Sequence, residues 1–244
     1  MGSRLFIYLI VFFSAYTVQT SASVIIEGTR VIMHEEDGET TLQLANKGNY
    51  VGFVQLWIDQ NDADTTPENI KVPFLLTPPL ARIEPGKGQA IRIIKLNTEI
   101  PSDRESFYWF NMLEIPYKIN EANHRKNLMQ LAFRTRIKLF IRPPNLSESP
   151  STAYKNVTFS LSKGELTIIN DSQYYITFRS VSIYSLDGLS TLANIVDFTP
   201  RMVSPKSHTK YAVKYFSKNH HQNATIKYSV INDYGGENKY EKSL

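Results

Sequence analysis

Arg30, in EGTRVIM, and Lys138, in LMQLAFRTRIKLFIRPP, are the residues of this sequence best suited to do chemistry. The first heads a candidate first strand, and the second lies in a long strand that closes the same half of the chain. First and last strands of a sandwich often meet at a sheet edge. Two cations converging there form a site for a carboxylate, which an arginine grips with two parallel N–H bonds. Spacing alone favours the plainer alternative, solvated edge charges that discourage aggregation. Other chemistry is poorly supplied. No GxSxG, HExxH, P-loop or GxGxxG motif stands in a strand–turn–helix context, and the chain has no cysteine nucleophile. Adjacent His220 and His221 point to opposite faces if they lie on a strand, so they do not chelate a metal together. Asp103 and Glu105 sit at a turn-to-strand entry, where solvation or ion pairing is expected. Catalysis is therefore not expected.

The element that carries Lys138 is unusual. Met129, Leu131, Phe133, Thr135, Ile137, Leu139 and Ile141 alternate with Gln130, Ala132, Arg134, Arg136, Lys138 and Phe140, a period of two held over 129–141. Fourteen residues of strand span roughly 45 Å, whereas a compact domain of about 120 residues is roughly 35 Å across. The strand overruns its domain. At a sheet edge, part of its apolar row and its backbone groups would stay unpaired and open to another chain.

Six further strand candidates precede it: VIIEGTRVIMH, TTLQLAN, YVGFVQLWID, FLLTPPLARI, GQAIRIIKL and SFYWFNMLEI, separated by turn-rich pieces such as EEDGE, NKGN and EPGKG. Seven short strands in about 120 residues outline an immunoglobulin-like sandwich. RPPNLSESPSTAY marks a boundary. Beyond it NVTFSLSKGELTIIN, YYITFRSVSIYS, TPRMVSPKSHTKYAV and ATIKYSVINDYGG form a second all-β set, and the terminal ENKYEKSL is expected to fray. The expected organisation is a leader over 1–22, one domain over 23–144 and a second over 145–244.

The leader follows from MGSR, a basic start, LFIYLIVFFSAY, an apolar run, and TVQTSAS, a small polar end. It is too short for a spanning helix, which needs about 20 apolar residues, and reads as a cleavable secretory signal. An exported chain without cysteine must rest on packing rather than disulfides, which favours a bacterial periplasm. The 27 Lys+Arg against 23 Asp+Glu are mixed along the chain, so a nucleic-acid partner is not expected. The sequons at Asn145, Asn156, Asn170 and Asn223 match the turn and strand content of an all-β chain; glycosylation there belongs to the alternative of a secreted immunoglobulin-like adhesion or receptor module. A sandwich-fold hydrolase is the other rival, and it lacks a credible cluster of acids or histidines.

TRVIM, FVQLWID, PFLLTPPLARIEPGKGQAIRI, RESFYWFNMLEIP, LAFRTRIKLFIRP, MVSPKS and INDYGG, in that order, resemble the motif series of the periplasmic pilus-assembly (fimbrial) chaperones, the PapD-like family. The resemblance implies two immunoglobulin-like β-sandwich domains in an L or boomerang arrangement. It implies donor-strand complementation of pilus subunits that lack their last strand, with delivery to an outer-membrane usher. By motif position, Met129, Leu131 and Phe133 would be the donor side chains, and Arg30 and Lys138 would anchor the subunit's C-terminal carboxylate. Glu105, Arg142 and Asp233 would form an interdomain charge cluster that sets the angle between domains, with the modest worth of surface ion pairs. The resemblance implies no nucleotide, metal or organic cofactor. The short connection YKINEANHRKN and the absence of cysteine resemble the short-loop subgroup, and NDSQYY departs from the family's Asn-Pro-x-Pro-Tyr-Tyr. A self-capping homodimer that covers the donor strand is expected when no client is bound.

Overall fold

The computed structural model describes residues 23–60, 70–116, 131–162, 164–185, 190–215 and 224–244. The leader, Met129, the connection after Pro116, His220, His221 and Asn223 lie outside the described residues. The chain is all-β with two hydrophobic cores, one drawing on residues from Val24 to Ile141 and the other from Tyr154 to Val230.

The first core lies between two sheets. One has the order β1 (Val24–Ile26), β3 (Glu39–Asn46), β7 (Gly88–Lys95), β5 (Phe74–Thr77). The other has the order β2 (Arg30–His34), β9 (Phe133–Arg142), β8 (Ser106–Ile115), β4 (Gly52–Asp59), β6 (Leu80–Ile83). Two stretches read from sequence as single strands are each divided between the sheets. VIIEGTRVIMH becomes β1 and β2 on either side of Gly28, whose φ of 128° lies where a side chain would strain the backbone. FLLTPPLARI becomes β5 and β6 on either side of Pro78 and Pro79, which cannot donate to a ladder. The side-chain phase changes at each crossing. Val24 and Ile26 face the core from even positions, Val31 and Met33 from odd ones; Phe74 and Leu76 give way to Ala81 and Ile83. A strand that moves to the facing sheet finds the core on its other side, so its alternation must shift by one residue.

The second core is enclosed by a hydrogen-bonded path of strands in the order β10 (Thr158–Ser162), β11 (Glu165–Asn170), β15 (Ser207–Tyr215), β13 (Thr191–Ile195), β12 (Ile176–Ser185), β16 (Ala224–Ile231), β17 (Glu237–Ser243), with β14 (Met202–Val203) also on β12. The expectation of a frayed terminus is corrected by β17, which pairs with β16 from Ile231↔Glu237 to Thr225↔Ser243. Its half-buried row supplies the reason: Tyr240 stacks on Tyr228 with ring centroids 5.3 Å apart, and Lys242 donates to the Val157 carbonyl at 2.6 Å. The boundary run contains a one-and-a-half-turn helix, α1 (Pro150–Lys155). The Ser149 side chain caps it by accepting from Thr152 N at 3.2 Å, and it buries Ala153 and Tyr154.

The two domains share a local device. Asn46 ends β3 and Asn170 ends β11. In each, Oδ1 accepts from the backbone N–H two residues on, Gly48 at 2.9 Å and Ser172 at 3.1 Å. In each, Nδ2 donates to the carbonyl four residues on, Tyr50 or Tyr174, both at 2.8 Å, and also to a strand across the sandwich, at Ile83 or Val203. TLQLAN and ELTIIN carry this correspondence in sequence. Asn170 is 1% exposed, so its sequon is inaccessible in the folded chain. Replacing Asn170 with Ala leaves the Tyr174, Val203 and Ser204 carbonyls without this donor. The expected cost is about 2–4 kcal/mol, read as a lowered urea midpoint; an unchanged midpoint would show that the amide is dispensable.

Candidate functional site

β9 changes character along its length. On its core-side row, Leu131 just before the strand is 58% exposed, Phe133 is 55% exposed and Thr135 is exposed, whereas Ile137, Leu139 and Ile141 are buried. The same row therefore begins outside the sandwich and ends within it. The edge changes at the same point. β2 runs parallel to β9 only from Arg30↔Lys138 to His34↔Arg142, while β8 lines the other side from Glu114↔Phe133 to Ser106↔Ile141. Among the described residues, no strand covers the outer edge of 133–137. Its outward N–H and C=O groups form a template for a further strand. Leu131 and Phe133 thus stand where an added strand's domain would receive them.

Arg30 and Lys138 sit where the open edge meets the covered one, as direct register neighbours. Both reach into the domain junction. Arg30 Nη1 donates to the Ile231 carbonyl at 3.0 Å, and its guanidinium lies over the Phe140 ring at 5.7 Å. Lys138 Nζ donates to Thr177 Oγ1 at 3.1 Å. Gly235 presses against Thr29 so closely that a Cβ there would stand 2.5 Å from Thr29 Oγ1, and its φ of 79° also requires glycine. Among the described residues neither cation is ion-paired to a carboxylate: Asp59 is bonded to Arg134 and Arg136, and Glu105 and Asp233 to Arg142. Burial, and then the charge of Arg30, push the Lys138 ammonium down to about 8. Burial also lowers Arg30, against the more distant pull of Asp233 and Glu105. Two desolvated cations stand side by side, one with a buried Nε lacking an acceptor among the described residues, an arrangement chemically suited to an anion.

The interdomain cluster is assembled, and burial corrects the expectation of a surface ion pair. Glu105 is 3% exposed and Arg142 9%. Arg142 donates to Glu105 Oε1 through Nε at 2.9 Å and Nη2 at 2.7 Å, and to Asp233 at 2.7 and 3.1 Å. Burial works against the Asp233 charge, but the Arg142 bonds outweigh it and hold the carboxyl below its ordinary value. Burial raises Glu105 despite Arg142. Sequence reasoning missed three participants. Tyr154 donates to Asp233 Oδ1 at 2.9 Å, Tyr174 lies under the Arg142 guanidinium at 5.0 Å, and Tyr175 N donates to Glu105 Oε2 at 2.9 Å. Gln173, where the family pattern has proline, adds a second strut. Its Nε2 donates to the Asp103 carbonyl at 2.7 Å, and its Oε1 accepts from Ser147 N at 2.7 Å. The signal lay in NDSQYY, whose Tyr-Tyr pair and glutamine occupy the turn that faces the first domain.

His34 and His208 are exposed, and no group of three His, Asp or Glu side chains fit to hold a metal occurs among the described residues. No helix among them is long and apolar enough to cross a membrane.

Family models for the pili and flagellar-assembly chaperone PapD N-terminal domain and the pili assembly chaperone PapD C-terminal domain match residues 23–147 and 152–242. The chaperone protein FimB/FhaD of Bordetella pertussis is 36% identical over 229 residues, covering 91% of this chain and 88% of its own length. The probable fimbrial chaperone YadV of Escherichia coli is 36% identical over 228 residues, covering 91% and 90%. The crystal structure of the YadV chaperone is similar with a TM-score of 0.73 at 34% identity, over 91% of this chain and 100% of that one. A chain of the Salmonella enterica SafA pilin and SafB chaperone complex is similar with a TM-score of 0.72 at 25% identity, over 93% and 99%.

Two stability measurements follow from the charges. Holding Lys138 charged in the folded chain costs up to about 3 kcal/mol for a shift of this size. Solvent screening leaves about 1–2 kcal/mol, so Lys138→Met should stabilise the isolated chain by that amount at pH 7. The penalty is complete below about pH 8. It disappears as pH rises towards the ordinary lysine value, about 10.4, so the two proteins should converge there in thermal midpoint. Arg142→Ala leaves Glu105 and Asp233 unpaired and should cost about 3–5 kcal/mol, measured by denaturant unfolding; a loss below about 1 kcal/mol would fit a surface pair instead.

Proposed function

This chain belongs to the family of PapD-like pilus-assembly chaperones, and from that membership we propose that it captures pilus subunits by lending them part of β9. The client is a subunit whose immunoglobulin-like fold lacks its last strand. Met129, Leu131 and Phe133 enter its open groove, and the free edge of β9 supplies a main-chain ladder. Each large apolar side chain contributes about 1.5–3 kcal/mol on burial, before ordering costs. Arg30 and Lys138 receive the client's C-terminal carboxylate, roughly 17 Å along the strand from Phe133. Glu105, Arg142 and Asp233 fix the angle between two domains that meet at residues 144 and 145. The chaperone works in the periplasm after removal of a leader over 1–22, needs no nucleotide, metal or organic cofactor, and hands its client to an outer-membrane usher. Without a client, a second copy covers the same edge.

One observation carries this reading: an exposed apolar row on an uncovered strand edge ends at two cations that, among the described residues, are not paired with a carboxylate. A chain folding only for itself would cover the row and neutralise the pair. An adhesion module binding through loops requires neither.

Co-expression in a bacterial periplasm with a pilus subunit from the same genome provides the test. Wild type should co-purify with the subunit. Lys138→Ala and Leu131→Asp should each lose it to degradation, with the chaperone itself still folded. Binding measured on purified complex should be flat below about pH 8. Above it, affinity should fall as the free ammonium deprotonates, by about tenfold per unit until the bound form also titrates. Equal capture by Lys138→Ala would reject the carboxylate anchor, and equal capture by Leu131→Asp would reject the donor row.

A further inference from the structure

The outer face of the five-stranded sheet, turned away from the core, holds a buried acid that the proposed capture does not use. Asp59, at the end of β4, is 1% exposed. Its Oδ2 accepts from Arg134 Nη2 at 3.1 Å and from Asn111 Nδ2 at 2.8 Å, and its Oδ1 accepts from Arg136 Nη2 at 2.8 Å. Asn111, fully buried on β8, accepts at its Oδ1 from Arg134 Nε and Nη2 at 3.1 and 2.9 Å. The two guanidinium groups lie over indoles, Arg134 over Trp57 at 4.8 Å and Arg136 over Trp109 at 4.7 Å. The network crosses three adjacent strands, β4, β8 and β9.

Its position is specific. Arg134 and Arg136 are the two outer-face residues of β9 in the stretch 133–137, the stretch that β2 does not cover. A strand with one neighbour and an exposed front row has little to keep it extended, and any order it lacks must be imposed when a partner binds. Here both outer-face side chains of that stretch are gripped from behind, on the opposite side from Phe133 and Thr135. The grip therefore does not compete with an incoming strand. Its chemistry also matters. Apolar side chains at these positions would hold the strand equally well, but would leave a sticky second face beside an open edge.

We propose that Asp59 and Asn111, acting on Arg134 and Arg136 against Trp57 and Trp109, splint the uncovered half of β9 so that it is presented already extended. Asp59 is the positioning residue of this device. The splint's contribution to capture rests on the reading of β9 as the client-binding strand, whereas the splint itself is testable without a client.

Hydrogen exchange of individual β9 amides in the free full-length chain, by NMR, makes the first arm. Asp59→Asn and the milder Arg134→Gln should each speed exchange of the β8-bonded amides within 133–137 by about tenfold or more, and leave those within 138–142 inside about twofold of wild type. Unchanged exchange in 133–137 overturns the splint. Equal acceleration in both halves of β9 also overturns it, because that is general destabilisation. The second arm measures capture of a pilus subunit from the same genome. The on-rate should fall by about tenfold and the off-rate change much less, the mark of lost preorganisation. Loosened amides with an unaltered on-rate overturn the role in capture. If the wild-type chain binds no subunit while the variants' amides loosen as expected, the capture reading fails and the splint is structural.

Discussion

The parallel pairing of β2 with β9 stops five residues short of the start of β9, and the properties of this edge of the first domain depend on where it stops. Downstream of Lys138 the strand is covered on both edges and its core-side row is buried. Upstream it has one neighbour and an exposed front. The limit is set by the crossing at Gly28, which takes the chain from one sheet to the other and lets β2 begin only at Arg30. One backbone event therefore creates the open edge and brings Arg30 beside Lys138 at its boundary.

The second domain completes what the first begins. Arg30 and Lys138 are both oriented by groups of that domain, the Ile231 carbonyl and the Thr177 hydroxyl. Their geometry holds only if the domains hold their angle. Arg142, two residues beyond Phe140 at the end of β9, binds Asp233 two residues beyond Ile231. Taking three charges out of water is costly, and such a cluster adds less net stability than its bond count suggests. Its bidentate geometry does constrain direction. The Gln173 strut and the contact between Gly235 and Thr29 constrain the same junction from two other points.

Much of this was legible in the sequence, for identifiable reasons. Alternation over 129–141 located β9 and separated its faces, because a strand's period of two is insensitive to context. The change from Val24 and Ile26 to Val31 and Met33 carried the sheet crossing too, although VIIEGTRVIMH reads as one apolar run unless its phase is counted. β17 was missed because ENKYEKSL is polar on both faces; its burial comes from a tyrosine and a lysine stem packing on β16 and Val157. The burial of Glu105, Arg142 and Asp59 was not legible at all. Whether a carboxylate is solvated or enclosed depends on what crosses over it, and here Trp57, Trp109, Tyr154 and Tyr174 come from four distant parts of the chain.

The cations of β9 show why such enclosure bears on recognition. Arg134, Arg136, Lys138 and Arg142 share one face of one strand, and from sequence they are equivalent attractions for an anion. In the fold they are not. Asp59 is held by the first two and Glu105 with Asp233 by the last, whereas Lys138, among the described residues, meets a threonine hydroxyl and a second cation rather than an acid. On the proposed reading, a carboxylate approaching this strand meets neighbouring cations already ion-paired with acids and one position without such a partner among the described residues. An apolar row repeats every second residue, so a strand docking on it by burial alone could settle in several registers two residues apart. A single un-neutralised position then removes that degeneracy, because a shift of two residues would bring the carboxylate to Arg136, already ion-paired with Asp59, or to the Phe140 ring. On that reading the buried acids act on specificity indirectly, by pairing with three of the four cations and leaving Lys138 for the client.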